Sequence, residues 1–376
     1  KNKIIKIMNT KGNFKILFAF AIFAFGITSC TEDEPIQYEI PTTYNFENVS
    51  INGQTQRLAM LKEMSNYMKT ANTAGNSIDA NRLKAMFEND AANAGFVQTY
   101  DDSKQLKDKT FEGERAVFEE LFELYETASQ NNTIPAVNGT AGVQVSLDGT
   151  KAYFVNENGV EYTQIIEKGL MGACFYYQAT SVYMSDDKMD VDNETIVEGE
   201  GTQMEHHWDE AFGYFGVPTD FPTNTDGLAW WGVYVNRRDP LLGTNQLMTE
   251  LIKGRAAISN KDLAARDEAI IAARAEWELA SAGTVMNYLN TALANFNDDA
   301  IRNHALSEAV AFAYALKFNN GKKVTNTNVD EILIKIGGTT VFKDMNFYTT
   351  TEADLNEAKD LIVGYFSEIE PVKDEL

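Results

Sequence analysis

Histidine occurs only three times in these 376 residues, cysteine twice and proline seven times. Two cysteines provide no disulfide framework, so the fold must be held by its core, for which 44% apolar and 11% aromatic residues give ample material. Basic residues are also in short supply: 32 stand against 55 acidic ones, a net charge of −23. That balance argues against nucleic acid as a partner and against adsorption to anionic lipid, because both need a basic face. No apolar run is long enough to span a bilayer. The longest, Ile16 to Ile27, is a little over half the roughly 20 residues a spanning helix requires. The motifs of several enzyme classes are missing too. There is no Gly-x-Ser-x-Gly elbow, no P-loop and no complete dinucleotide glycine signature. The segment His207-Trp208-Asp209-Glu210-Ala211 has alanine where the inverted zinc-peptidase pattern needs a second histidine.

The apolar run has a function of its own. Lys11 and Lys15 precede it, and Ile27-Thr28-Ser29-Cys30 follows it in the form of a lipobox. Residues 1–29 are therefore expected to be a lipoprotein signal peptide, with Cys30 the lipidated residue and acyl chains the means of attachment to a membrane. Removing that segment deepens the negative charge by the five lysines it carries. The acidic stretch Thr31-Glu32-Asp33-Glu34 resembles a signal that sends lipoproteins to the outer membrane and its surface. Residues 30–50, acidic and rich in proline and threonine, read as a tether.

Beyond the tether the periodicity is mostly helical. Helices are predicted over about 54–74, 79–94 and 111–130, the last with Val117, Leu121, Leu124 and Tyr125 on one face. A small β excursion is expected near 140–160, where Val143, Val145 and Leu147 alternate before Asp148-Gly149, and Tyr153 and Val155 follow it. Residues 164–184 read as a central helix, apolar on most sides, with Cys174 as core rather than nucleophile. An acidic loop spans 186–200. Counted from Asp190, an EF-hand would need glycine and glutamate where Thr195 and Gly201 stand, so it reads as a solvated loop. A helix over 203–215 is followed by an irregular aromatic stretch over 217–245, which reads as a plug at the end of a bundle or as a cleft lining, with Trp230, Trp231 and Tyr234 as the candidate ligand-cleft residues or an exposed contact patch. Long helices are predicted over 246–258, 261–294 and 298–319, a mixed segment over 329–347 and a last helix over 352–367.

The three histidines are the best candidates for chemistry. His206 and Glu210 form His-x-x-x-Glu-Ala, and His304 and Glu308 repeat it. Residues four apart share a helix face, so each pair points an imidazole and a carboxylate the same way, and His207 with Glu210 adds a pair three apart. His206, His207, Glu210, His304 and Glu308 are thus candidate ligands for a divalent or iron cation. The repeated segment also suggests an all-α protein of two related helical bundles, residues 51–216 and 217–376, with a small β-hairpin in the first.

Thr163-Gln164-Ile165-Ile166-Glu167-Lys168-Gly169-Leu170-Met171-Gly172-Ala173, followed by His207-Trp208-Asp209-Glu210-Ala211-Phe212-Gly213-Tyr214, resembles the imelysin-like lipoproteins. Trp230-Trp231-Gly232, Gly254-Arg255-Ala256-Ala257 and the His304 segment are similar to an uncharacterised branch of that group. The resemblance implies two pseudo-symmetric helical bundles. The group's Gly-x-His-x-x-Glu pattern is matched at His207 and Glu210, while Glu205 replaces its glycine. Function is expected along one of three lines. The first is a surface or periplasm-facing lipoprotein binding a metal or small ligand in a cleft between bundles, with iron acquisition implied by the resemblance. The second is an imelysin-like metallopeptidase with Glu205 or Glu308 as base, and the third is a protein-interaction module without metal.

Overall fold

The computed structural model describes residues 37–130 and 132–376. The signal peptide, Cys30 and the acidic stretch after it lie outside the described residues. From Tyr38 to Leu376 the chain forms one compact unit, built of twelve α-helices and one two-stranded hairpin among the described residues. The fold is therefore all-α with a small β element. None of the described helices is long and apolar enough to cross a membrane.

The first helices are α1 (Asn52–Met68), α2 (Ala80–Glu88) and α3 (Arg115–Ser129). Asp79 starts α2 by accepting the Asn81 and Arg82 amides, and Asn89 ends it by turning left-handed, earlier than the sequence pattern suggested. β1 (Gly142–Val145) pairs antiparallel with β2 (Ala152–Val155), Gln144 opposite Tyr153. The Asp148-Gly149 turn joins them, with Gly149 at φ 73° where a side chain would be strained.

α4 (Tyr162–Leu170) is buried at every position and continues as two π-helical stretches, Met171–Tyr176 and Gln178–Tyr183. It lies against α10 (Asp299–Ala315), so closely that a Cβ on Gly172 would stand 2.6 Å from that of Ala315. This contact joins the two halves that the sequence had divided at 216/217. Among the other helices, α5 (Asp186–Met189) is a single turn in the acidic loop, followed by α6 (Gln203–Gly213), α7 (Trp231–Leu242) and α8 (Gln246–Ser259). α9 (Leu263–Ala294), α11 (Asn326–Gly337) and α12 (Glu352–Tyr365) complete the set.

α7 corrects the expectation of an irregular stretch over 217–245. Gly232 and Pro240 obscured its helical pattern. The glycine is needed for fit, because a Cβ there would meet Val217 and the Gly216 carbonyl at 2.6 and 2.7 Å. The proline falls in the last turns, two residues before Leu242 and the left-handed Gly243. The mixed segment expected over 329–347 is likewise a regular helix, α11, followed by a short 3₁₀ turn over Phe342–Asp344.

Candidate functional site

The histidine helix α6 forms where the sequence places it. Thr202 and Glu205 make a reciprocal capping box at its N-terminus. Its charged groups are engaged by the rest of the fold. The guanidinium of Arg255, 1% exposed, donates to Glu205 at 2.6 Å and to Asp209 at 2.9 Å. The Tyr44 hydroxyl donates to the same Asp209 at 2.7 Å, and its ring stacks on Phe212 at 3.7 Å. Burial pushes the Asp209 carboxyl up to about 6 against the opposing pull of Arg255 and Tyr44. Glu205 is thus committed to a cap and an ion pair, and not placed as a general base.

The metal candidates on this helix are similarly held. His207 Nδ1 lies 2.8 Å from the Lys188 carbonyl, and burial lowers its basicity. Glu210 accepts from Gln54 and Tyr183, each at 2.9 Å, and stands 3.8 Å from His206. His304 and Glu308 sit elsewhere, among a different set of partners, so the five candidates are not gathered at one point. Among the described residues no group of three or more His, Cys, Asp or Glu is arranged to hold a metal ion. Cys174 is wholly buried and its thiol is pushed up to about 12 by burial, consistent with a core position.

His304 and Glu308 open onto a cleft of about 920 Å³. α1 forms one wall with Thr55, Leu58, Ala59 and Lys62, and α7 the other with Val233, Tyr234 and Arg237, joined by Trp230 just before its first turn. The residues within each helix recur at three- and four-residue spacing, as a single helix face must. α4 and α10 form the floor. Trp230 anchors the two walls to each other: its indole N–H donates to the Leu58 carbonyl at 2.9 Å. It does so at φ 48°, a left-handed conformation that a bulky side chain rarely adopts, and such strain collects where function constrains the backbone. Of the three aromatic residues singled out in the sequence, Trp230 and Tyr234 line this cleft. Trp231 does not. It is fully buried, donating to the Met171 carbonyl at 2.9 Å and packing edge-on to Trp277. None of the three is exposed, which corrects the picture of an aromatic contact patch.

The floor is a buried ionic network. Glu161, fully buried, faces His304 Nδ1 at 2.6 Å. His304 stacks on Tyr153 at 4.1 Å and 11°. Burial opposes a charge on His304, but Glu161 and Glu308 outweigh it and hold the imidazole above its ordinary range. Lys168 is paired with Glu167 and lies 3.9 Å from Glu308, its ammonium 5.5 Å from the centre of the Tyr234 ring. Glu167 is further bound by Ser65 and, at 2.9 Å, by Lys69. Although burial alone would raise it, these cations hold the Glu167 carboxyl down at about 2. The arrangement around His304 does not turn its two carboxylate neighbours toward one ring nitrogen. Glu161 approaches one ring nitrogen and Glu308 the other, and the lone-pair directions of those nitrogens diverge.

Glu161, Gln164, Glu167 and Lys168 had not been singled out as site residues. The available signal was a Glu-Lys pair inside a segment otherwise read as apolar, since buried charges are rarely placed in a core without a partner or a role.

The family described as Domain of unknown function (DUF4856) matches residues 41–366, and the chain belongs to it. No curated protein and no solved structure matches the chain.

Proposed function

We propose that this member of the family is a binding protein for a small organic ligand, which it takes into the cleft between α1 and α7. One observation carries the reading: a concavity of about 920 Å³ joins an aromatic wall to a floor of buried, mutually paired charges. Pockets of this size with a few converging polar groups are where proteins take small molecules. A strained tryptophan at the wall adds to the case. Capture of a metal or iron cation by His206, His207, Glu210, His304 and Glu308 is the competing proposal, and metallopeptidase action needs the same ions. Both are disfavoured by donors that do not converge. The imelysin-like kinship belongs to the proposal as well, supported by His207 and Glu210 in the spacing of that group. So does the lipid anchor at Cys30, which would hold the cleft at the outer membrane on its periplasmic or surface face.

The test uses residues 31–376 in a thermal-shift screen against small metabolites, iron and zinc, beside Ala59→Trp. Ala59 lines the cleft and is half-buried, so tryptophan there fills the space. A compound that stabilises the parent and not Ala59→Trp supports the reading. Stabilisation only by metals, lost in His207→Ala or His304→Ala, would replace it with cation capture. Compounds that act equally on both proteins would overturn it.

A further inference from the structure

The ligand class can be read from three features of the same cleft, and the inference therefore rests on the binding reading above. The first is the floor, whose paired charges leave acceptor capacity at Glu308 and Gln164. Glu308 is only 5% exposed; the Tyr288 hydroxyl bonds to it, while the approaches from Tyr234, His304 and Lys168 are 3.4, 3.6 and 3.9 Å. These three exceed the 2.5–3.0 Å of a good hydrogen bond to a carboxylate from a hydroxyl, or the 2.7–3.2 Å typical of a nitrogen donor, so the carboxylate keeps acceptor capacity beyond Tyr288. Glu161 and Glu167 have close partners in His304 and Lys69, so the spare capacity belongs to Glu308. Gln164, 4% exposed and lining the cleft, has a side-chain oxygen with no partner. A buried carboxylate with acceptor capacity to spare and an amide oxygen with no donor suit a ligand that donates hydrogen bonds at more than one point.

The second feature is the mouth. Lys62 and Arg237 line the cleft, and neither has an ion-pair partner among the described residues, in a chain with 55 acidic side chains. Both are exposed. Unpaired cations at a mouth suit an anionic group on the ligand. Asp226, also in the lining, is the one carboxylate of the cleft outside the floor network.

The third feature is the wall. Leu58, Val233 and the rings of Trp230 and Tyr234 offer apolar contact to the body of a ligand. We infer that the cleft binds a polyhydroxylated organic anion of the sugar-acid class. Its hydroxyl groups donate to Glu308 and Gln164, its ring lies against Trp230 and Tyr234, and its carboxylate meets Lys62 and Arg237.

The experiment is calorimetric titration of residues 31–376 with galacturonic acid, glucuronic acid, digalacturonic acid and N-acetylneuraminic acid, with galactose and glucose as neutral counterparts. At least one acid is expected to bind, the neutral sugars at least about tenfold more weakly, a difference of about 1.4 kcal/mol. Lys62→Gln with Arg237→Gln, both exposed positions, should abolish the preference for the acid, and Ala59→Trp should abolish binding. No binding by any acid overturns the inference, and so does equal binding of acid and neutral sugar. If other compounds from the thermal-shift screen remain sensitive to Ala59→Trp in that case, the binding reading stands and only the ligand class falls.

Discussion

Replacing Glu167 with glutamine should destabilise the protein far more than an ordinary carboxylate-to-amide change. Glu167 is 3% exposed and stands among Lys168, Lys69 and Ser65. Glutamine keeps the volume but removes the charge. Lys168, itself 4% exposed, is then left with Glu308 at 3.9 Å and the face of Tyr234. Breaking a buried pair from one side costs about 3–5 kcal/mol, because the stranded ion cannot regain its hydration. The pH dependence gives an independent figure. The folded carboxyl is held at about 2 against an ordinary value of 4.5. Between those values the unfolded chain binds more protons than the folded one, so this contribution is fully present above pH 4.5. It is lost as pH falls toward 2. The shift corresponds to about 3 kcal/mol at about 1.4 kcal/mol per pH unit. The assay is urea denaturation of parent and Glu167→Gln at pH 7, 4.5 and 3. The stability gap should be about 3–5 kcal/mol at pH 7 and should narrow steadily below 4.5. Adding Lys168→Met to Glu167→Gln should recover part of the loss, since no buried ion is then unpaired. A gap under about 1 kcal/mol at pH 7, or one unchanged between pH 7 and 3, would refute the account of the cleft floor as a mutually dependent network.

Four further outcomes follow from contacts within the fold. With three histidines in the chain, a heteronuclear NMR titration should resolve His304 above the usual value of 6.5 and His207 below it, and the reverse order would contradict the partners assigned to them. Because its folded value is raised, His304 contributes stability that is complete below pH 6.5 and fades as pH rises through that folded value, so His304→Gln should cost more at pH 6 than at pH 9. Gly254→Ala should lower the thermal midpoint and alter the near-ultraviolet dichroism, because a methyl there runs into the Trp208 ring; overpacking of this kind costs about 1–3 kcal/mol. In residues 31–376 Cys174 should resist a thiol reagent until the protein is unfolded, and rapid labelling of the native state would show that its burial is misjudged.

The parts of the fold that were legible in the sequence share a local cause. The hairpin is carried by Asp148-Gly149 between alternating residues, and α6 by the stop signals Gly216 and Pro218 that follow it within a few residues. α9 and α10 are long enough for their period to be unmistakable. α7 was hidden because Gly232 and Pro240 are read as breakers, whereas the glycine answers a close approach by Gly216 and Val217 that only the tertiary structure creates. The same limit applies to the site. His304 and Glu308 could be singled out because histidine is rare and the spacing helical. Nothing local shows that Glu161, 143 residues earlier, supplies the hydrogen-bond partner of His304.

The repeated His-x-x-x-Glu-Ala segment illustrates how far spacing alone can lead. In both copies the histidine and glutamate do share a helix face, at 3.8 Å for His206–Glu210 and 3.6 Å for His304–Glu308. Their surroundings then diverge. On α6 the glutamate is tied up by Gln54 and Tyr183, each at 2.9 Å, and Asp209, one residue before it, by Arg255. On α10 the glutamate is bonded by Tyr288, with Tyr234, His304 and Lys168 standing further off, and it opens onto a cleft. If the second pair serves a ligand and the first serves the fold, substitution should separate them. Glu210→Gln should lower stability by about 1–3 kcal/mol, as expected when half-buried hydrogen bonds to a charged group lose that charge. It should leave ligand affinity unchanged. Glu308→Gln should weaken binding of whichever compound the cleft accepts by about tenfold, the effect of about 1.4 kcal/mol. Equal effects of the two substitutions on affinity would show that the copies act together, and would restore the case for a shared site.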